Sequence, residues 1–316
     1  TQGDLAQVDC EFETNTVAKK VGISVNAEDI GGDFNNDYND DYTNGGGAMV
    51  AYIPSVSHVR YYISSSTTSC IFGLKGQYIT SGWVKVSYLD AQQRIEVWRK
   101  DNDIMFLSAV KIYAPSSCDG LFQYCTALTT LDLSNFDTAN VTSMRDMFGR
   151  CTALTTLDLS NFDTTNVTDM FEMFVHCTSL VSLNISTFDT SNVTNLHSLC
   201  DGCAALPTLD LSNFNTSNVA TIRAMLWGCA SLISVDLSNF DTSNVDTMAI
   251  VFYGCSSLTT IYGGDWIKKS GLDSSNMFNG CTSLVGGNGT TYSSEHDNAK
   301  YARIDRPGTP GYFTQR

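Results

Sequence analysis

The chain has 316 residues, 42% of them hydrophobic and 16% charged, which excludes a disordered chain too polar to bury a core. Five prolines exclude a proline-rich stalk, and no apolar run approaches the ~18 residues of a membrane-spanning helix, so no membrane insertion is expected. A formal net charge of −15 argues against nucleic acid, whose phosphates need clustered Lys and Arg, and suits cationic partners.

The sequence opens at Thr1 without a signal peptide, as expected of a chain whose export signal was removed or whose initiator Met was trimmed. Residues 1–108 carry short β-branched and aromatic runs: VGISV, AMVAYI, VRYYIS, CIFGLK, WVKVSYL and RIEVWR. Turn residues separate them, which predicts a small all-β N-terminal domain, a sandwich or partial barrel. Within it, Asp33, Asn35, Asp37, Asn39 and Asp41 alternate like half of an EF-hand loop. Tyr38 stands where such a loop needs Gly and Asn44 where it needs Glu, so a solvated acidic loop is expected ahead of a calcium site. Cys10 and Cys70 are a possible bridge.

Residues 109–316 are periodic. CTALTTLDLSNFDT occurs at 125–138 and again at 151–164. Cysteines recur every 26 residues, at 125, 151, 177, 203, 229, 255 and 281, and Leu, Leu/Val/Ile, Leu/Ile and Phe columns keep step with them. L-x-x-L-x-L spacing reads as a short strand with alternate residues inward. Val141, Met144, Met147 and Phe148 follow i, i+3, i+6, i+7, which reads as one face of a short helix. Asn140, Asn166, Asn192, Asn218 and Asn244 precede it and are expected to cap it. Three of them also read as N-x-T sequons, but the column persists at Asn218, where the sequon is lost. The expected fold is therefore an α/β solenoid, a leucine-rich repeat stack of about seven strand–helix coils preceded by the all-β domain. CDGLFQYC (118–125) with VKIYA (110–114) is expected to cap one end, and Gly286 to Phe313 the other.

LDLSNFDTANVTSMRDMFGRC resembles the repeat of BspA-like leucine-rich repeat surface proteins of bacteria. SLVGGNGTTYSSEHDNAKYARIDRPGTPGYFT is similar to the segment that often closes such repeats. The resemblance covers about Cys118 to Thr314. It implies a horseshoe-like solenoid on a bacterial surface, often an adhesin or host-protein binder, and it brings no catalytic residue.

The histidines, at 58, 176, 197 and 296, pair with no nucleophile and orienting group, so no enzyme and no cofactor are expected. His197-x-x-Cys200-x-x-Cys203 has a metal-like spacing, but Cys203 belongs to the repeat column and Cys200 replaces an inward Phe, so core packing is expected and no metal. The seven column cysteines are expected as free, buried thiols.

Two acidic ladders run through the repeats, where 3 basic residues face 13 acidic ones between 125 and 255. Asp137, Asp163, Asp189, Asn215 and Asp241 are expected to form Asx-type turns. Asp132, Asp158, Asn184, Asp210 and Asp236 alternate outward along the strands beside Thr130, Thr156, Ser182, Thr208 and Ser234, and are a candidate binding face. Phe171, Trp227 and Tyr253 sit in freely varying columns four residues apart and are the competing candidate, a patch on one helix face. The expected function is a non-enzymatic extracellular or cell-surface module that binds a protein or glycan on a host or neighbouring surface through its solenoid. The alternative is a structural or attachment component of a larger assembly, such as a virion decoration protein docked through the N-terminal domain.

Overall fold

A computed structural model describes residues 50–316, apart from 79 and 268. The VGISV strand, the Asp33–Asp41 loop and Cys10 of the proposed bridge lie outside the described residues.

The first described segments are β1 (Ala51–Tyr52) and a five-residue helix, α1 (Val56–Arg60). Pro54 lacks an N–H and ends the strand direction, so VRYYIS starts in this helix rather than in the expected strand. Next come β2 (Ser69–Leu74), β3 (Val84–Tyr88), β4 (Ile95–Lys100), β5 (Asp103–Ser108) and β6 (Ile112–Tyr113). The repeats then supply β7 (Thr130–Asp132) and β8 (Phe136–Asp137). One sheet has the order β3-β4-β5-β2-β7 and another β1-β6-β8. No separate sandwich or barrel forms among the described residues before 109. Instead β2 pairs in parallel with β7, Ser69 opposite Thr130, and β6 pairs with β8, Ile112 opposite Phe136. One core runs from Ala51 to Phe313 across the expected boundary.

Beyond β8 lie β9 (Thr156–Asp158), β10 (Ser182–Asn184), β11 (Thr208–Leu209), β12 (Ser234–Leu237) and β13 (Thr260–Gly263). β9 pairs with β10, β11 with β12 and β12 with β13, all parallel and in a 26-residue register: Leu157 meets Leu183, and Leu209 meets Val235, which meets Ile261. A second parallel ladder of single bridges runs Ser117, Ser143, Asp169, Asn195, Thr221, Thr247, Asp273.

The expected strand–helix alternation does not form. Almost all regular structure is β, and α1 is the single α-helix among the described residues. The segments expected as helices are tight turns in which alternate N–H groups point out to the next coil and those between bond three residues back. The N–H groups of Met144, Asp146, Phe148 and Arg150 donate to the carbonyls of Asp169, Phe171, Met173 and Val175. An α-helix would send them four residues back. Asp146 and Arg150 have φ of 52° and 62°, and the same two columns are left-handed in every following coil, which no right-handed helix tolerates. Burial at 141, 144, 147 and 148 is nevertheless complete, because successive tight turns bring the same residues inward. The asparagine column therefore caps no helix. Asn166, Asn192, Asn218 and Asn244 donate their side-chain amides to the carbonyls of Ala139, Thr165, Ser191 and Ser217, tying each coil to the one before.

The core is a set of files along the stack. Phe122, Phe148 and Phe174 stack at 5.5 and 5.7 Å, and Cys200 and Leu226 continue the file to Phe252 and Phe278. At the far end β14 (Phe313–Thr314) adds in parallel to β13. Phe313 packs edge-on to Trp266 at 5.1 Å and Tyr312 on Phe278 at 5.0 Å. The Asp305 carboxylate accepts the N–H groups of Asn288, Thr290 and Gly311 and pins this closing segment in place.

Candidate functional site

The strands present one polar face. Inward leucines alternate with outward Asp132, Asp158, Asn184, Asp210, Asp236 and then Tyr262, because side chains alternate along a strand. Each acidic member fixes itself. Oδ1 accepts the N–H two residues on: Ser134 for Asp132 (2.9 Å), Ser160 for Asp158 (3.0 Å), Ser212 for Asp210 (2.9 Å) and Ser238 for Asp236 (2.9 Å). Asn184 does the same toward Ser186 and also donates to Oδ1 of Asp158 at 2.8 Å. These bonds set the turn and aim the second oxygen outward.

At both ends that second oxygen has a partner. Oδ2 of Asp132 accepts the Tyr78 hydroxyl, and Oδ2 of Asp236 takes the Arg316 guanidinium as an ion pair. Between them Asp158 and Asp210 offer Oδ2 to solvent. The N–H and hydroxyl of Ser160 hold the Asp158 carboxyl below its ordinary range, and the hydroxyl and N–H of Ser212 do so for Asp210, so both are charged at neutral pH. At Asp132 burial pushes upward, but the hydrogen bonds from Tyr78 and Ser134 outweigh it and its carboxyl is also lowered. A groove of about 410 Å³ opens on this face, lined by Ser182, Thr208, Asp210, Ser234, Asp236, Tyr262 and Arg316 among others. The Arg316 guanidinium lies over the Tyr262 ring, 5.9 Å from its centroid.

The strand-face candidates Asp158, Asp210 and Asp236 therefore share one open surface, and Asp132 is closed off by Tyr78. Sequence reasoning missed Tyr78, Tyr262 and Arg316. Tyr262 stands in the aspartate column one coil after Asp236, so its place was readable. Arg316 and Tyr78 lie outside the periodic columns.

The aromatic candidates do not form one helix stripe, because there is no helix. Trp227 and Tyr253 are an exposed edge-to-face pair at 5.8 Å. Phe171 sits apart from them against His197 at 5.1 Å, with the Arg145 guanidinium 4.4 Å over its ring and paired to Asp169. Val175 and Ala249, from the same two columns, are buried. The turn aspartates act as expected: Asp137, Asp163, Asp189 and Asp241 accept the N–H groups of residues 139, 165, 191 and 243.

The ten described cysteines are free and buried. Cys151, Cys177, Cys203, Cys229, Cys255 and Cys281 each donate to a carbonyl 29 residues back, at 2.9–3.2 Å. Burial pushes the Cys125 thiol up to about 11 and that of Cys281 up to about 12, which keeps both un-ionised and unreactive at neutral pH. Cys200 and Cys203 are buried core residues, and His197, beside Phe171, has its pKa lowered by burial and by Arg223.

No curated protein and no solved structure matches the chain. A family profile described as "Mycoplasma protein of unknown function, DUF285" matches twice, over residues 116–206 and 177–287. The two matches overlap and together take in more than half of the 316 residues, the same stretch that carries the stacked coils. The chain thus belongs to the DUF285 family, a family in general of BspA-like repeat surface proteins.

Proposed function

We propose that this chain is a non-enzymatic binding module, displayed on a surface, that recognises a protein or glycan partner through its strand face. The observation that carries the reading is the groove on that face, where charged carboxylates, serine and threonine hydroxyls and the Tyr262 ring converge on a rigid parallel stack. Fixed polar groups around a partly apolar hollow are what a recognition site needs, since little freedom is lost on binding. The resemblance to BspA-like surface proteins supports extracellular display.

The exposed Trp227–Tyr253 pair is a second recognition surface, favoured by two large aromatics exposed in edge-to-face contact. The test is a screen against host matrix proteins and glycans, repeated with D158N/D210N and with W227S/Y253S. Loss of binding in the first variant alone identifies the strand face, and loss in the second alone identifies the aromatic pair. If the screen yields no ligand, and the chain is instead recovered as a stoichiometric part of a larger assembly, the attachment reading replaces this one.

A further inference from the structure

Resting on the strand-face reading, we propose that the groove is a receptor for arginine side chains of an extended cationic peptide, with Arg316 as an occupant supplied by the chain itself. Pre-oriented carboxylates and the placement of Arg316 point to a guanidinium. Each ladder aspartate spends Oδ1 on its own turn and holds Oδ2 outward, so the carboxylates are oriented before any ligand arrives. At Asp236 that outward oxygen holds a guanidinium, Arg316, two residues beyond β14. The Tyr262 ring lies beneath the same guanidinium. A planar cation that both hydrogen-bonds a carboxylate and faces an aromatic ring is better served by Arg than by Lys, whose ammonium is a hydrated point charge.

The ladder also sets a spacing. Asp158, on the strand face outside the groove lining, and Asp210, within it, are two coils apart, a step of about 10 Å at ~4.8 Å per parallel strand that the continuous bridge ladder Asp169–Asn195–Thr221 keeps across the same coils. In an extended or polyproline-type peptide, residues three apart span about 9–10 Å. The favoured ligand therefore carries arginines at positions i and i+3. Arg316 competes for the end of this track, and its charge reaches Asp210 as well as Asp236.

The experiment uses the whole chain and a synthetic peptide, Arg-Gly-Gly-Arg-Gly-Gly-Arg, followed by calorimetry at low and moderate salt. Controls are the all-lysine peptide and one with arginines two apart. The arginine peptide is expected to bind more tightly than either control. R316Q should strengthen binding about two- to fivefold, the range set by losing one exposed competing ion pair. D158N/D210N should weaken it at least about tenfold. Asn184 already occupies this column and keeps the turn, so the double variant should fold, which a melting curve verifies. Binding that is equal for the lysine peptide, unchanged in D158N/D210N, or absent even in R316Q overturns the proposal. The broader strand-face reading would still stand in any of these cases if a ligand from the matrix and glycan screen lost affinity in D158N/D210N.

Discussion

Single side chains hold the coils together by bridging backbone groups. Thr138, Thr164, Thr190 and Thr216 are buried, and each hydroxyl donates to the carbonyl, and accepts from the N–H, of the residue 25 further on. One hydroxyl thus satisfies a donor and an acceptor that burial would otherwise strand. Thr190→Val keeps the shape and removes both bonds, and should cost about 1–3 kcal/mol in denaturant unfolding, whereas Thr190→Ser should recover most of it. The turn carboxylates give a pH signature. Hydrogen bonds from the Ser191 hydroxyl and N–H lower Asp189, and the N–H and hydroxyl of Ser243 lower Asp241. A group depressed in the fold stabilises fully above its unfolded pKa, ~3.9, and loses that contribution as pH falls through the lower folded value. Asn215 shows that an amide holds the same turn. D189N/D241N should therefore melt near wild type at neutral pH but lose less melting temperature on acidification from pH ~5 to ~2.5.

At the scale of elements, the strands were legible and the helices were not. CIFGLK, WVKVSYL and RIEVWR became β2, β3 and β4, and the L-x-x-L-x-L runs became the parallel strands, because period-two burial has one common solution. The run at 141, 144, 147 and 148 was ambiguous in kind. Inward spacing of three and four is produced by a helix and by a train of tight turns alike. The difference lies in where the N–H groups go, which residue burial does not record. One signal was available: Gly202, Gly228, Gly254 and Gly280 recur in one column of the supposed helix, where φ is 68–82°. Ala at Gly228 would keep ordinary contact distances and bear only the left-handed penalty, about 1–2 kcal/mol. At Gly280 a Cβ would also stand 3.2 Å from the Gly254 Cα, so Gly280→Ala should destabilise more than Gly228→Ala. Far-UV circular dichroism of the wild type should show a β-type spectrum without the helical double minimum. The candidate site was half legible for the same reason: the aspartate column was visible as a period, whereas Tyr78 and Arg316 reach it from non-periodic segments.

At the scale of the molecule, each coil contacts its neighbours in a fixed 26-residue register, so whole coils are interchangeable units and fractions of coils are not. Removing residues 151–176 joins Arg150 to Cys177 and restores every column. That shortened chain should fold, give the same type of spectrum and melt cooperatively at a modestly lower temperature. Removing half that length shifts inward residues onto the polar face and should abolish the cooperative transition. The first result checked against the second separates a register-locked stack from a merely hydrophobic collapse.

The file of sulfhydryls makes melting a one-way event in air. While the coils are stacked, each described thiol is buried away from oxidant. Once they part, the chain's eleven cysteines share the ordinary thiol acidity of an open chain, near ~8.5, and meet oxidant together, with many mismatched pairings open to them. Any cross-link so formed holds neighbouring segments at separations the native files do not permit. Without reductant the apparent melting point should shift with heating rate and reheating should recover little signal; with reductant both effects should fade. Durability in an aerobic setting would then be governed by how fast the chain opens, rather than by how far the folded state lies below the unfolded one.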